Sequence, residues 1–180
     1  TDSRTLTAGV DYEAPLASDS AFIRITNTGH TGAGTNTGAG TNNADDVTVR
    51  ITNPNNLTNN VTFQRGTGAA NNTRISWEIV EYQGVAGGEN EIKVRAASTL
   101  TYVAGNTTVT SAAASGVVDD TDIAVFITSQ YNPSTGATVY NQGVSTAAWN
   151  AGADTVTLTR GATGVAAIAS YAVVEFTGSN

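Results

Sequence analysis

His30 is the only histidine of this chain and Lys93 its only lysine, and cysteine is absent. A serine nucleophile needs a histidine or similar base to take its proton. His30 stands beside a Gly-rich stretch, in the setting of a surface loop, so no catalytic residue is assigned. Glu81 and Glu175 draw attention because they recur in matching contexts. Glycoside hydrolysis requires two carboxyl groups across one cleft, about 5–10 Å apart. Matching places in two repeats do not put them across a cleft. Each is expected to be a strand-end acceptor of backbone or Arg hydrogen bonds.

Two constellations remain for binding. Asp119, Asp120 and Asp122 form the densest acidic cluster, and Asp45-Asp46 occupies the corresponding stretch earlier in the chain. Calcium takes several carboxylate and carbonyl oxygens and is the one ion such a cluster suits. No EF-hand pattern accompanies it, and no other cofactor is expected. Tyr140, Asn141, Gln142 and Trp149 supply the aromatic faces and amides of a glycan site. The competing expectation for Trp149 and Tyr140 is burial as packing.

The 180 residues carry 15 acidic and 8 basic side chains, a net charge of −7 on only 13% charged residues. Phosphate backbones are bound by basic faces, so nucleic acid is not an expected partner. No apolar run reaches the roughly 18 residues of a spanning helix, so no membrane span is expected. Without charge, the surface must be Thr, Asn, Ser and Gly, a skin that suits exported β-proteins and virion proteins.

The elements that would position these residues are strands. Candidate strands are 21–27, 46–52, 60–65, 73–82, 91–96, 98–103, 106–111, 122–129, 155–160 and 168–177. Each is rich in Val, Ile, Thr or aromatics and is punctuated by Asn, Gly, Pro or Asp. The best helix candidate, 111–115, is very short. The chain also repeats itself. Ser76-Trp77-Glu78-Ile79-Val80-Glu81-Tyr82-Gln83-Gly84 returns as Ser170-Tyr171-Ala172-Val173-Val174-Glu175-Phe176-Thr177-Gly178. Upstream, 61–66 matches 156–161, Ile23-Arg24-Ile25-Thr26 matches Val125-Phe126-Ile127-Thr128, and Thr5-Leu6-Thr7 matches Thr99-Leu100-Thr101. The expected architecture is all-β, with two tandem antiparallel β-sandwich modules of jelly-roll, immunoglobulin-like or H-type-lectin-like form. Module 1 spans 1–90 with an N-terminal arm, module 2 spans 91–180, and 83–92 is the linker.

Alternation puts Ile75, Trp77 and Ile79 on one face, the expected core, and Ser76, Glu78, Val80 and Tyr82 on the other. Val80 and Tyr82, with Val174 and Phe176 in the second copy, make strand ends apolar on both faces. They are the expected assembly surface, buried against a neighbouring module or subunit. Residues 1–15 read as a spare arm for an edge strand of this module or of the next subunit. Thr31 to Asn42 is a long polar loop that something outside the module would order.

The pattern at 74–82, then Gly-Gly-Glu-Asn-Glu at 87–91, then 170–178 resembles repeated β-modules in long surface and phage-like structural proteins of environmental bacteria and viruses. The paired segments 61–66 with 75–82, and 156–161 with 169–176, also resemble the final hairpin of H-type lectin sandwiches. That second resemblance implies trimers with sugars bound between subunits, and no residue role is carried over from it. The expected function is a non-enzymatic structural protein of a virion or extracellular surface: a filament, tail fibre or decoration. Its expected partners are copies of itself or other virion or surface proteins. The alternative is a carbohydrate-binding adhesin, with glycans as partners.

Overall fold

The computed structural model describes residues 3–31, 48–65, 72–132 and 140–178, with the side chains of residues 30, 31, 72 and 140 outside that description. The chain is all-β. Its strands are β1 (Ser3–Thr7), β2 (Ala21–Thr31), β3 (Arg50–Ile51), β4 (Asn60–Gln64), β5 (Asn72–Glu81) and β6 (Ile92–Tyr102). They continue as β7 (Thr108–Thr110), β8 (Ile123–Tyr131), β9 (Ser145–Asn150), β10 (Thr155–Arg160) and β11 (Ala167–Phe176). One turn of 3-10 helix, Tyr140–Gln142, is the only helical piece among the described residues. The 111–115 segment is irregular, and the two short strands expected at 91–96 and 98–103 are one strand, β6. The 31–42 loop beyond Thr31, and Asp45-Asp46, lie outside the described residues.

The strands pair antiparallel in four sheets, ordered β1-β4-β3, β2-β5, β7-β10-β9 and β6-β11-β8. Two details of register recur. On β2 the pairing with β5 steps from Ile25–Trp77 to Asn27–Ser76, leaving Thr26 as the extra residue of a bulge. On β8 the pairing with β11 steps from Ile127–Tyr171 to Ser129–Ser170, leaving Thr128 in the same place. Likewise Thr5 Oγ1 meets Thr62 Oγ1 across β1-β4 at 2.9 Å, and Thr110 Oγ1 meets Thr157 Oγ1 across β7-β10 at 3.1 Å. By its pairing, β1 therefore corresponds to β7. Thr99-Leu100-Thr101, matched to Thr5-Leu6-Thr7 in sequence, lies on β6 rather than on β7. Of residues 1–15, Ser3–Thr7 pair along their length with β4 of the same chain, the first of the two places expected for the arm. Beyond it, the Tyr12 hydroxyl donates to Leu57 O at 2.7 Å, and the Tyr12 ring meets the Trp77 ring edge-on.

Each pair of sheets shares an apolar cluster. Ile23, Ile51, Val61 and Phe63 are buried with Ile75, Trp77 and Ile79 packed against them, the core face expected from the alternation on β5. Val156, Leu158, Ala169, Tyr171 and Val173 form the equivalent cluster of the later strands. A third cluster joins the two sets of strands. Phe22, Ile92, Ala172 and Val174 are buried with Val80, Tyr82, Val94 and Phe126 against them, and the Phe22 and Phe126 rings stack at 4.8 Å.

Beside that apolar contact sits a closed ring of buried hydrogen bonds. Ile51 N–H donates to Ser129 Oγ (2.9 Å), Ser129 Oγ donates to Ser170 Oγ (2.8 Å), and Ser170 Oγ donates to Ile51 O (2.9 Å). β3 is thereby satisfied on its open side by two side chains rather than by a strand. Thr48 extends the contact, donating from Oγ1 to Asn132 O and accepting from Asn132 N. The aligned residue Ser76 is exposed, whereas Ser170 is fully buried. Leaving a buried carbonyl unsatisfied costs about 1–3 kcal/mol. Ser170→Ala is thus expected to lower stability in urea unfolding by about 2 kcal/mol, and Ser76→Ala by no more than about 0.5 kcal/mol. Equal effects would show that the ring contributes nothing.

Candidate binding groove

β11 enters its last turn with Glu175 and Phe176 side by side and on opposite faces, as strand alternation requires. Phe176 N–H donates to Asp122 O at 2.9 Å, which draws the acidic loop alongside. On the other side of β11, Glu175 lies opposite Lys93, and Arg95 is the extra residue of a bulge on β6. The result is a groove of about 410 Å³ lined by Glu91, Lys93, Arg95, Asp119, Asp122 and Glu175, with Phe176 also in its wall. Val118 and Phe176 are exposed apolar groups at its edge, Phe176 at 44%. Gly178 closes one end. Its backbone lies so near Gly88 O and the Asn90 and Glu91 amides that a side chain there would collide with them.

Glu175 is only 1% exposed, yet fully partnered. Oε1 accepts from Val118 N (2.8 Å) and Asp119 N (2.7 Å), and Oε2 takes Arg95 Nε at 2.5 Å. Burial pushes this carboxyl up, but the Asp119 and Val118 amides and the Arg95 guanidinium outweigh it and hold it below the usual glutamate range. Glu91 is also held low, chiefly by the Thr177 hydroxyl that donates to it at 2.8 Å. Asp119 is lowered by the Thr121 hydroxyl and amide. A general acid at neutral pH needs a raised carboxyl, and the shifts resolved in this groove run the other way. Its chemistry is that of three lowered carboxyls, Glu91, Asp119 and Glu175, in one groove with an aromatic side chain. Glu81, the aligned residue, is half-buried and accepts from Leu16 N at 2.5 Å and from Gln83 at 2.9 Å. Glu81 and Glu175 are both strand-end acceptors of backbone hydrogen bonds.

The residues singled out in sequence are redistributed. Asp119 and Asp122 line the groove, but Asp120 points away: it accepts from Trp149 Nε1 at 3.0 Å and Gly152 N at 2.9 Å. The acidic triplet is thus divided, and among the described residues no three His, Cys, Asp or Glu side chains are grouped to hold a metal ion. Trp149 packs against the core cluster of the later strands. Asn141 and Gln142 lie beyond the other end of β9, which puts about 13 Å of strand between them and Trp149. The Tyr140 and His30 side chains lie outside the description. Of the four strand-end residues, Val80, Tyr82 and Val174 meet one another inside the chain, and Phe176 alone stays exposed.

Sequence reasoning missed Arg160. It is 2% exposed and donates to five backbone carbonyls, those of Val103, Ala104, Asn106, Gln142 and Val165, with its guanidinium 4.8 Å from the Tyr102 ring centre. The available signal was its recurrence in the repeat as Arg65-Gly66 and Arg160-Gly161.

Because the Glu175 carboxyl is lowered on folding, its stabilisation is complete above the unfolded glutamate value of about 4.3 and is lost as pH falls through the lower folded value. Glu175→Gln is expected to cost about 3 kcal/mol at neutral pH. The gap to the parent chain should narrow as pH is taken below 4.3 in unfolding titrations. A gap that is constant with pH would mean the carboxylate's charge is not what Arg95 and the two amides recognise.

No protein-family model, curated protein or solved structure matches this chain.

Proposed function

We propose that this chain is a non-enzymatic structural protein of a virion or extracellular surface assembly, built from two repeated antiparallel β-sandwiches. Support for the repeat is the bulge at Thr26 and Thr128 in the same register, with the matched Thr5–Thr62 and Thr110–Thr157 contacts. The observation that carries the structural role is what the outer face of the β6-β11-β8 sheet does. Ala172, Val174 and Phe126 are taken up as the seat of the earlier strands, with Ile51 locked by the Ser129–Ser170 pair. Repeats stacked through such faces make extended structural arrays, and a terminal repeat keeps a polar outer face. On β2 and β5 the corresponding positions hold the ion pair Arg24–Glu78, which suits an outermost copy. The purified chain is expected to form regular filaments, rings or lattices in electron micrographs, with a solution mass that grows with concentration. A constant monomer mass would end the structural reading.

One observation favours the carbohydrate-binding alternative. Phe176 stands exposed in the wall of a groove that carboxylates also line, an aromatic face near hydrogen-bond acceptors of the kind sugars dock on. On that reading Phe176→Ala abolishes retention on a glycan array without changing the melting temperature. No retention by the parent chain would remove it.

A further inference from the structure

β5 is the strand whose surroundings differ most from those of its repeat. β11 lies between β6 and β8 and is buried along most of its length, whereas among the described residues β5 hydrogen-bonds only to β2 and is partly exposed throughout. Long free edges are normally blunted by a bulge. β2, β6 and β8 each carry one, at Thr26, Arg95 and Thr128. β1, β3, β7 and β9 are at most six residues long. β5 is a ten-residue edge strand with no extra residue of its own. Near its end, Glu81 is engaged by the Leu16 amide, so among the described residues the open stretch is Arg74–Ile79.

That stretch is complementary to itself. Aligned antiparallel about Ser76, two copies put Arg74 opposite the partner's Glu78 and Ile75 opposite the partner's Trp77. Arg74 is exposed and makes no ion pair among the described residues. Glu78 already faces Arg24 across the sheet. Pairing would extend this into a row of alternating sign, Arg24 to Glu78 to the partner's Arg74, on one face. The other face would carry Ile75 and Trp77 in continuous apolar contact. Opposite-charge and aromatic–aliphatic pairs are the contacts that stabilise neighbouring strands, and strand addition at an open edge is an established mode of association.

We infer that two copies of this chain pair β5 to β5 about a two-fold axis at Ser76, joining their two-stranded sheets into one of four strands. This rests on the structural reading above and names one contact between copies; being two-fold it closes at a dimer, so a filament or lattice also uses a second contact. The chain has no cysteine, so Ser76→Cys introduces the only thiol. In the inferred pair the two Cα atoms are about 4.5–5.5 Å apart, within disulfide reach. The same change at Thr73 leaves the thiols about 20 Å apart.

Mild oxidation is expected to convert Ser76→Cys, and not Thr73→Cys, into a covalent dimer on a non-reducing gel. In sedimentation velocity, Arg74→Glu alone and Arg24→Glu/Glu78→Arg alone should each weaken association at least about tenfold. An equimolar mixture of the two should restore it, because every reversed charge then meets its opposite. Association of the parent chain without the Ser76→Cys cross-link, or without rescue in the mixture, overturns the β5 contact and leaves assembly through another surface. A parent chain that stays monomeric at every concentration overturns both the contact and the structural reading.

Discussion

The ring of hydrogen bonds from Ile51 through Ser129 and Ser170 back to Ile51 is the constraint on which the relation between the two sets of strands depends. Apolar faces tolerate sliding, since dispersion and area burial have little direction. A buried N–H and a buried C=O do not, because each costs free energy unless it meets a partner. Two serines brought level by the bulge at Thr128 receive both groups of one residue. The stacked Phe22 and Phe126 then fall into contact on a surface whose register is already set.

The same bulge appears on β2, and among the described residues no strand docks on it. Thr26, Asn27 and Ser76 are exposed there, whereas Thr128, Ser129 and Ser170 are buried. One local geometry thus exists in a covered and an uncovered form within one chain. The difference lies on the faces around it. Phe126 and Ala172 make one of them apolar, and Arg24 and Glu78 make the other polar. Burying the Arg24–Glu78 pair would forfeit its hydration for a contact that often only breaks even. Side-chain chemistry outside the bulge therefore decides which copy of the motif receives a neighbour.

Much of this was legible in the sequence, because β5 and β11 alternate Ile, Trp, Tyr and Val with the period of a strand. The alignment of Ile23–Thr26 with Val125–Thr128 marks the two bulged threonines. β9 was not legible: Ser145-Thr146-Ala147-Ala148-Trp149-Asn150 carries little β-propensity, and its pairing with β10 makes it a strand. β1 escaped for the same reason, its state being set by a partner more than fifty residues away. Asp119, Asp122 and Phe176 were each visible as residues, but only the β8-β11 pairing brings them to one groove. Arg95 gave no local signal, since its acid, Glu175, lies on another strand, whereas Lys93 pairs with Glu91 two residues before it.

β11 is anchored at both ends by a charged group, and the two anchors are chemically unlike. Near Ala167 the fixed charge is Arg160, held by peptide carbonyls. About 26 Å along the strand it is Glu175, held by amides and a guanidinium. A guanidinium among carbonyls contains nothing that gains or loses a proton between neutral and strongly acidic water. A carboxylate among N–H groups does. Acid therefore acts on this strand from one direction. The Glu175 end loosens while the Arg160 end keeps every one of its bonds, and the sheet frays as a zipper with a single slider.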